Sequence, residues 1–140
     1  MPLTVDTAVR ADEAIVARLS TDATLAGLVS GIYSGLFPDR LPPPYVRIDD
    51  MEDGDNVMVV GLAKIMTHLN FLVRGYTLGP EWATAREISD RIDAVLHAAD
   101  WTEGGLNFVA YQTAPFKDTE SASGKLYRVA GGFYRVLVTS

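Results

Sequence analysis

The 140-residue chain contains no cysteine. This absence excludes disulfides, thiolate metal sites and thiol nucleophiles, and it is typical of proteins that fold in a reducing compartment. Long apolar runs are also missing, and the longest is far too short to span a bilayer. Asp6, Asp12 and Glu13 interrupt the stretch where a secretory signal needs an unbroken apolar region. We therefore expect no signal peptide, no membrane partner and a protein that stays in the compartment where it is made.

The chain also lacks clusters of positively charged residues. Twelve Lys and Arg residues face 18 Asp and Glu residues, which gives a net charge of −6, and the basic residues are scattered singly. Binding to a phosphate backbone requires grouped cations that release counterions. Sequence-specific recognition of DNA or RNA is therefore not expected, although an acidic surface can line a passage through which DNA moves without sticking.

The composition is otherwise that of a globular domain, with 48% hydrophobic and 21% charged residues. A chain of this length is typical of one domain, here residues 1–140. The order of helix-like and strand-like segments along the chain predicts a two-layer α+β fold. In it, a four-stranded, mainly antiparallel sheet is covered on one face by an N-terminal helix pair and one long central helix.

Apolar residues spaced three and four apart predict helices, and strict alternation predicts strands. The predicted helices are residues 6–20, a short helix capped by Ser20 or Thr21 and ended by a left-handed Gly31, and a helix from Pro80 to about Ala99. The predicted strands are residues 45–51, 64–76, 107–113 and 125–139, the last with a bulge at Gly131 and Gly132.

Three connecting segments have other predictions. The proline-rich stretch before Tyr45 favours an ordered or semi-rigid loop, and residues 115–124, polar and rich in small side chains, predict a mobile one. Residues 57–62 leave two alternatives open, because they can extend the strand that follows or form a separate protruding hairpin arm.

The sequence matches none of the common metal-binding, catalytic or phosphate-binding motifs. The acidic run 49–55 is similar to a calcium loop when Gly54 is the turn glycine, but Met51 and Val60 then occupy ligand positions. The two histidines, His68 and His97, lack a metal-binding spacing. No nucleophile elbow or phosphate-binding glycine loop occurs. The sequence therefore predicts no catalytic, cofactor-binding or metal-binding residues, and no enzyme.

The segment from residue 13 to Val46 resembles the small phage tail-completion or tail-terminator family. Members open with a helix ending in Leu-x-x-Asp-x-x-Leu, and residues 19–25, Leu-Ser-Thr-Asp-Ala-Thr-Leu, match it. A glycine-containing Ile-Tyr follows at Ile32-Tyr33, and Pro44-Tyr45 precedes the first strand. The family's later strand and helix are similar to residues 69–75 and 83–96, so the resemblance covers most of residues 13–98.

The resemblance implies a structural virion protein with an α+β fold and no cofactor. It implies a hexameric ring that caps the tail tube and joins the tail to the head, with double-stranded DNA passing through its lumen without sequence-specific binding. The implied partners are copies of the same chain, the tail tube protein and a head–tail connector or stopper protein. The implied location is the virion tail or neck of a phage or a particle similar to a gene transfer agent, made and assembled in the host cytoplasm.

A ring subunit needs loops or edge strands that contact its neighbours. The proline loop, the arm at 52–62 and the loop at 115–124 are the segments that offer them. The candidate interface residues are Tyr33, Phe37, Arg40, Tyr45, Val57, Met58, Val59, Phe116, Lys117 and Asp118. Two alternatives remain: another neck component, such as a head-completion or connector protein, and a small ligand-binding or enzymatic domain with a pocket between the Trp82 helix and the sheet.

Overall fold

Strands dominate the molecule. The computed structural model describes residues 6–34, 41–58 and 64–139, and in these ranges seven strands form one mixed sheet that curls into a half-barrel. Three helices in the same ranges complete the structure. None of them is long and apolar enough to cross a membrane.

The element bounds are as follows. The helices are α1 (Asp6–Ser20), α2 (Ala23–Leu28) and α3 (Ala83–Leu96). The strands are β1 (Ile32–Ser34), β2 (Tyr45–Asp50), β3 (Asp55–Met58), β4 (Lys64–Leu78), β5 (Ala99–Glu103), β6 (Leu106–Ala122) and β7 (Lys125–Thr139). The sheet order is β1-β2-β4-β7-β6-β5, with β3 pairing to β4 beside β2. Only the β1–β2 pair is parallel among these pairings.

Alternation along β4 determines which face of the sheet carries the helices. Phe71 and Val73 are fully buried, and a side chain at Gly75 would collide with Ile88 of α3. These odd-numbered residues therefore face the helical layer, and the even-numbered residues point to the opposite face. Fully buried residues from α1, α3, β6 and β7 complete the core between helices and sheet.

The predicted fold class is wrong: the protein is mostly β, and no single central helix covers a four-stranded sheet. β1, β3 and β5 contain only three, four and five residues. Alternation over so few residues does not stand out in a sequence, so these strands form because longer neighbours offer them hydrogen bonds. α3 is shorter than predicted, since Ala98 takes a left-handed φ of 59° and β5 begins at the next residue.

The segment 115–124, predicted to be a mobile loop, is instead the outer half of β6 and its turn. β6 stays paired with β7 as far as Ala122 and Lys125. Ser123 and Gly124 both have positive φ, 52° and 75°, which gives a two-residue turn the twist that paired strands need. Polar composition here reflects exposure of the strand and does not reflect absence of structure.

The predicted bulge at Gly131 and Gly132 is also wrong, because both glycines keep register with β4 and β6. The irregularity lies in the facing strand, between Gln112 and Ala114. A Cβ at Gly131 would overlap the main chain of β4 at Val73 and Arg74. Glycine is therefore required at position 131 because the two backbones approach closely.

Two smaller predictions are resolved within the described residues. α2 ends at Val29 with extended backbone, and Gly31 is not left-handed, so the predicted glycine cap is wrong. Residues 55–58 form β3, a separate antiparallel strand against β4, and do not extend β4. Residues 59–62, the rest of the undecided arm, lie outside the described residues, and so do residues 35–40 of the proline-rich stretch.

Replacing Gly131 tests the close approach of β7 and β4. Gly131→Ala should lower the free energy of unfolding by about 1–3 kcal/mol, since the added methyl group must displace a backbone. Gly27→Ala is the control, because nothing lies within 4 Å of a Cβ there and the residue is in a helix. It should raise stability by about 0.5–1 kcal/mol. Urea unfolding of both variants measures the contrast, and equal effects would contradict it.

Candidate assembly surfaces

Asp22 joins the N-terminal helices to α3. One carboxylate oxygen accepts the N–H of Leu25 at 2.9 Å and caps α2. The same carboxylate accepts two hydrogen bonds from the Arg91 guanidinium, at 3.1 and 2.5 Å, and these lower the pKa of Asp22. Leu19 and Leu25, on either side, are fully buried. The spaced Leu-Asp-Leu pattern therefore has a physical basis, although the sequence placed the cap at Ser20 or Thr21.

A second polar contact fixes α3 against the sheet. The hydroxyl of Tyr134 in β7 donates to Asp93 Oδ1 at 3.0 Å and accepts from Gln112 Nε2 at 3.3 Å. Burial, with the Asp93 charge, raises the pKa of Tyr134, so the hydroxyl remains a proton donor at neutral pH. The Tyr134 hydroxyl therefore connects α3 to β7 and, through Gln112, to the neighbouring β6.

The opposite face of the sheet, which we call the helix-free face, carries a row of aromatic rings. Tyr33 of β1 meets Tyr45 of β2 edge-on at 6.3 Å, and Tyr45 stacks on Tyr76 of β4 at 4.9 Å. Phe116 of β6 meets Phe133 of β7 edge-on at 5.8 Å. This aromatic row crosses five of the described strands and places three of the predicted interface residues on one surface.

Arg74 bridges the two groups of rings that make up the aromatic row. Its guanidinium lies 5.3 Å from the Tyr76 ring centre and 5.5 Å from that of Phe116. It also pairs with Asp49 at 2.9 Å, and Asp49 accepts a second ion pair from Arg47 at 3.0 Å. Burial raises the pKa of Tyr76 to about 12. The row is therefore a preorganised, mainly neutral surface.

β6 leaves a long edge of the sheet open. β5 pairs only with residues 106–110, so from residue 111 to 122 β6 has β7 as its one strand neighbour within the described chain. At about 3.4 Å per residue this edge is roughly 40 Å long. Pro115 has no N–H to offer, and the N–H of Thr119 donates to the Asp118 side chain at 2.8 Å. Both features limit uncontrolled strand pairing.

Two cations meet one indole ring on the helix side of the sheet. Lys117 Nζ lies 4.4 Å and the Arg128 guanidinium 4.9 Å from the Trp82 ring centre. Arg128 also donates to the Pro80 carbonyl at 3.0 Å and to the Thr119 hydroxyl at 2.7 Å. We call Trp82, Lys117 and Arg128 the cation–indole cluster. The pairing of β6 with β7 assembles it, so no local sequence pattern could have indicated it.

The turn between β2 and β3, residues 51–54, is exposed and acidic, and we call it the acidic turn. The N–H of Glu52 donates to Asp50 at 2.8 Å, and Asn70 donates to Asp53 at 3.0 Å. Glu52 has a left-handed φ of 57°, which is unfavourable for a residue with a Cβ. The turn is therefore fixed by hydrogen bonds and presents carboxylates to solvent.

Asp12 of α1 lies near this acidic region. It is partly buried, and its Oδ1 has no hydrogen-bond partner among the described residues. Burial, followed by the charges of Asp50, Glu13 and Asp49, raises the pKa of Asp12 to about 6. The folded protein therefore tolerates the ionised carboxylate poorly at neutral pH.

The predicted interface residues divide between these surfaces. The helix-free face carries Tyr33, Tyr45, Phe116 and Asp118. The cation–indole cluster contains Lys117. Strand β3 contains Val57 and Met58. Phe37, Arg40 and Val59 lie outside the described residues. Sequence reasoning did not indicate the contact of Arg74 with Phe116 or that of Arg128 with Trp82, because these residues are distant in the sequence.

Catalytic geometry is not apparent in the described ranges. They hold no group of three or more potential metal ligands. His97 accepts the N–H of Gln112, and His68 lies 3.4 Å from Asp55. An open pocket of 290 Å³ beside the start of α3 is lined by proline, threonine and leucine with the single carboxylate of Glu81. The described residues thus form a mostly β protein that carries aromatic, acidic and cationic surface patches.

Comparison with known proteins gives the family. The chain matches the model of tail completion protein gp17 over residues 13–134, and it belongs to that family. It is therefore a structural protein of the phage tail and not an enzyme, as the sequence predicted. No match is found among curated protein sequences.

Two solved structures share the fold. A chain from the virion of a native gene transfer agent particle is 20% identical, with a TM-score of 0.74 over 92% of this chain and 94% of that one. The gp17 protein of bacteriophage SPP1 is 23% identical, with a TM-score of 0.54 over 95% of this chain and 91% of that one. Both similarities support the architecture described above.

Replacing Asp22 tests the contact between α2 and α3. Asp22→Ala should lower the free energy of unfolding by about 1–2 kcal/mol through loss of the cap. Asp22→Asn keeps a capping oxygen and should lose less. Because the folded-state pKa of Asp22 is lowered, the charge-dependent part is present above pH 4 and disappears as the pH falls through that folded-state value. Urea unfolding at pH 7 and at acidic pH measures this, and an Asn variant as unstable as the Ala variant would contradict the capping role.

Replacing Asp12 should raise the free energy of unfolding at neutral pH, whereas replacing Asp22 should lower it. Because the pKa of Asp12 is raised in the folded state, the stability contributed by its neutral form is fully present below pH 3.8. That contribution is lost as the pH rises through about 6. Asp12→Asn should therefore stabilise the protein at pH 7, by about 1–2 kcal/mol after allowing for solvent screening, and leave stability at pH 3 unchanged. Glu87→Gln, at an exposed position of α3 that is not among the charges acting on Asp12, is the control with little effect. A gain that persists at pH 3 would contradict this electrostatic origin.

Proposed function

We propose that this tail-completion protein forms a closed, hexameric ring that caps the tail tube and joins the tail to the head. Double-stranded DNA passes through the lumen of the ring without sequence-specific contacts. The tail tube protein lies on one side, and the head–tail connector or stopper protein lies on the other. The whole chain, residues 1–140, acts as one domain in this assembly.

The asymmetry of the sheet is the observation that carries this proposal. Helices cover one face, while the other bears the aromatic row, and the two lateral edges differ in length and chemistry. A surface that does not complement itself favours head-to-tail contacts, and such contacts close into a ring when the rotation allows it. The family of the chain supplies the context of a tail end.

The proposed contact residues lie partly on these surfaces, and three of them lie outside the described residues. Neighbouring subunits and the tube contact the chain through β1, β2, β3, the outer half of β6 and those three residues. The set is Tyr33, Phe37, Arg40, Tyr45, Val57, Met58, Val59, Phe116, Lys117 and Asp118. The net charge of −6 per subunit supports passage of DNA, since a ring of such subunits repels phosphates at long range.

Removing the gene from the producing genome tests the proposal. We expect DNA-filled heads and separate tails of uncontrolled length, with joined particles restored by supplying the wild-type protein. Electron microscopy of a labelled chain should place it at the head-proximal end of the tail. Native mass measurement of the purified protein, or of the complex released from particles, should give a six-fold multiple of the chain. Normal joining without the protein would overturn the proposal.

A further inference from the structure

The cation–indole cluster and the acidic turn have complementary charges and lie far apart in one subunit. The cluster lies beside Thr77 of β4, which pairs with Arg128, and the acidic turn lies beside Asn70, which binds Asp53. Seven residues of extended strand separate these positions, a distance of about 23 Å. They also lie on opposite sides of β4, since β2 and β3 flank one edge and β7 and β6 the other. The two features therefore cannot meet within one copy.

The cations of the cluster lack carboxylate partners. Arg47, Arg74, Arg91 and Arg135 each pair with an aspartate in the described part of the chain. Lys117 and Arg128 pair with none there, and the hydrogen bonds of Arg128 go to uncharged oxygens. Two like charges held against one ring repel each other, so an anion placed between them is favoured. The two cations of the cluster therefore favour binding of a carboxylate.

Glu52 is an exposed residue of the acidic turn whose carboxylate can reach such a cluster. Glu52 has a left-handed φ, a backbone conformation that glycine adopts without strain. Its side chain is exposed, and the structure gives it no partner among the described residues. The carboxylate of Glu52 is therefore accessible to a partner outside its own subunit.

We infer that the acidic turn of one subunit, with Glu52 at its centre, docks on the Trp82, Lys117 and Arg128 cluster of the next copy. This deepens the proposed function and rests on it. The contact joins two different patches from opposite sides of the sheet, as a head-to-tail ring requires. Burying the ion pairs beside the indole ring strengthens them relative to exposed pairs and determines the order of the subunits.

Cysteine cross-linking tests the contact directly, because the natural chain has no cysteine. Glu52→Cys combined with Lys117→Cys should give covalent multimers after mild oxidation of assembled particles, ending at the subunit number of the ring. Each single variant should remain monomeric on a non-reducing gel. The control is Glu52→Cys with Glu87→Cys, whose second cysteine lies at an exposed position of α3, and it should not cross-link.

Charge exchange gives a second, functional readout. Glu52→Lys and Lys117→Glu should each weaken self-association about tenfold or more, and the double variant should recover most of that loss, since the pair is then reversed. Glu103→Lys and Lys125→Glu, at exposed positions outside both patches, should have little effect. Glu52→Gly should keep or raise the melting temperature and still weaken association, which a merely structural role cannot explain.

The outcomes separate this contact from the function on which it rests. Intact rings without Glu52–Lys117 cross-links, or a double variant no better than the single ones, would overturn the contact alone. The second outcome would point to an acidic segment of the tube or connector protein as the occupant of the cluster. Absence of any oligomer, both in solution and in particles, would overturn the ring and this contact together.

Discussion

The long antiparallel ladder of β4, β7 and β6 is the constraint on which the other features depend. Each of these strands has 15 or more residues, and register runs almost without interruption across them. Long strands bring together main-chain groups that are distant in sequence, and their twist curls the sheet. Gly131 permits the closest approach, because any side chain there would enter the backbone of β4. The core, the two faces and the edges all follow from this ladder.

One face of the ladder packs against the helices, and the other carries the aromatic row. On the helical side, Asp22 and Tyr134 tie α2, α3 and β7 together through hydrogen bonds that restrict how the helices can move. On the helix-free side, rings and an arginine form a rigid, mainly neutral surface. Rigid aromatic surfaces bind partners at a low cost in conformational entropy. This separation suits a subunit that must keep its shape while it joins different neighbours.

Charged side chains are also divided between different parts of the molecule. Most arginines of the sheet are neutralised within the subunit, while Lys117 and Arg128 lack carboxylate partners in the described structure, and the acidic turn projects its carboxylates on the other side of β4. Opposite charges on different patches favour ordered association over random collapse. The outer edge of β6, with Pro115 and the occupied N–H of Thr119, offers fewer free donors for uncontrolled strand pairing.

The sequence by itself determined the family, the structural role and the elements with strong periodicity. Leu19, Asp22 and Leu25 could be recognised because each is required locally, for the core or for a helix cap. α1, β2, β4 and β7 were likewise predictable, since their buried residues recur at regular spacing. Only the tertiary structure decided the fold class, because β1, β3, β5 and the outer half of β6 are short or polar and form through pairing with β2, β4, β6 and β7. The aromatic row and the cation–indole cluster were decided in the same way, since register brings their side chains together from strands distant in the sequence.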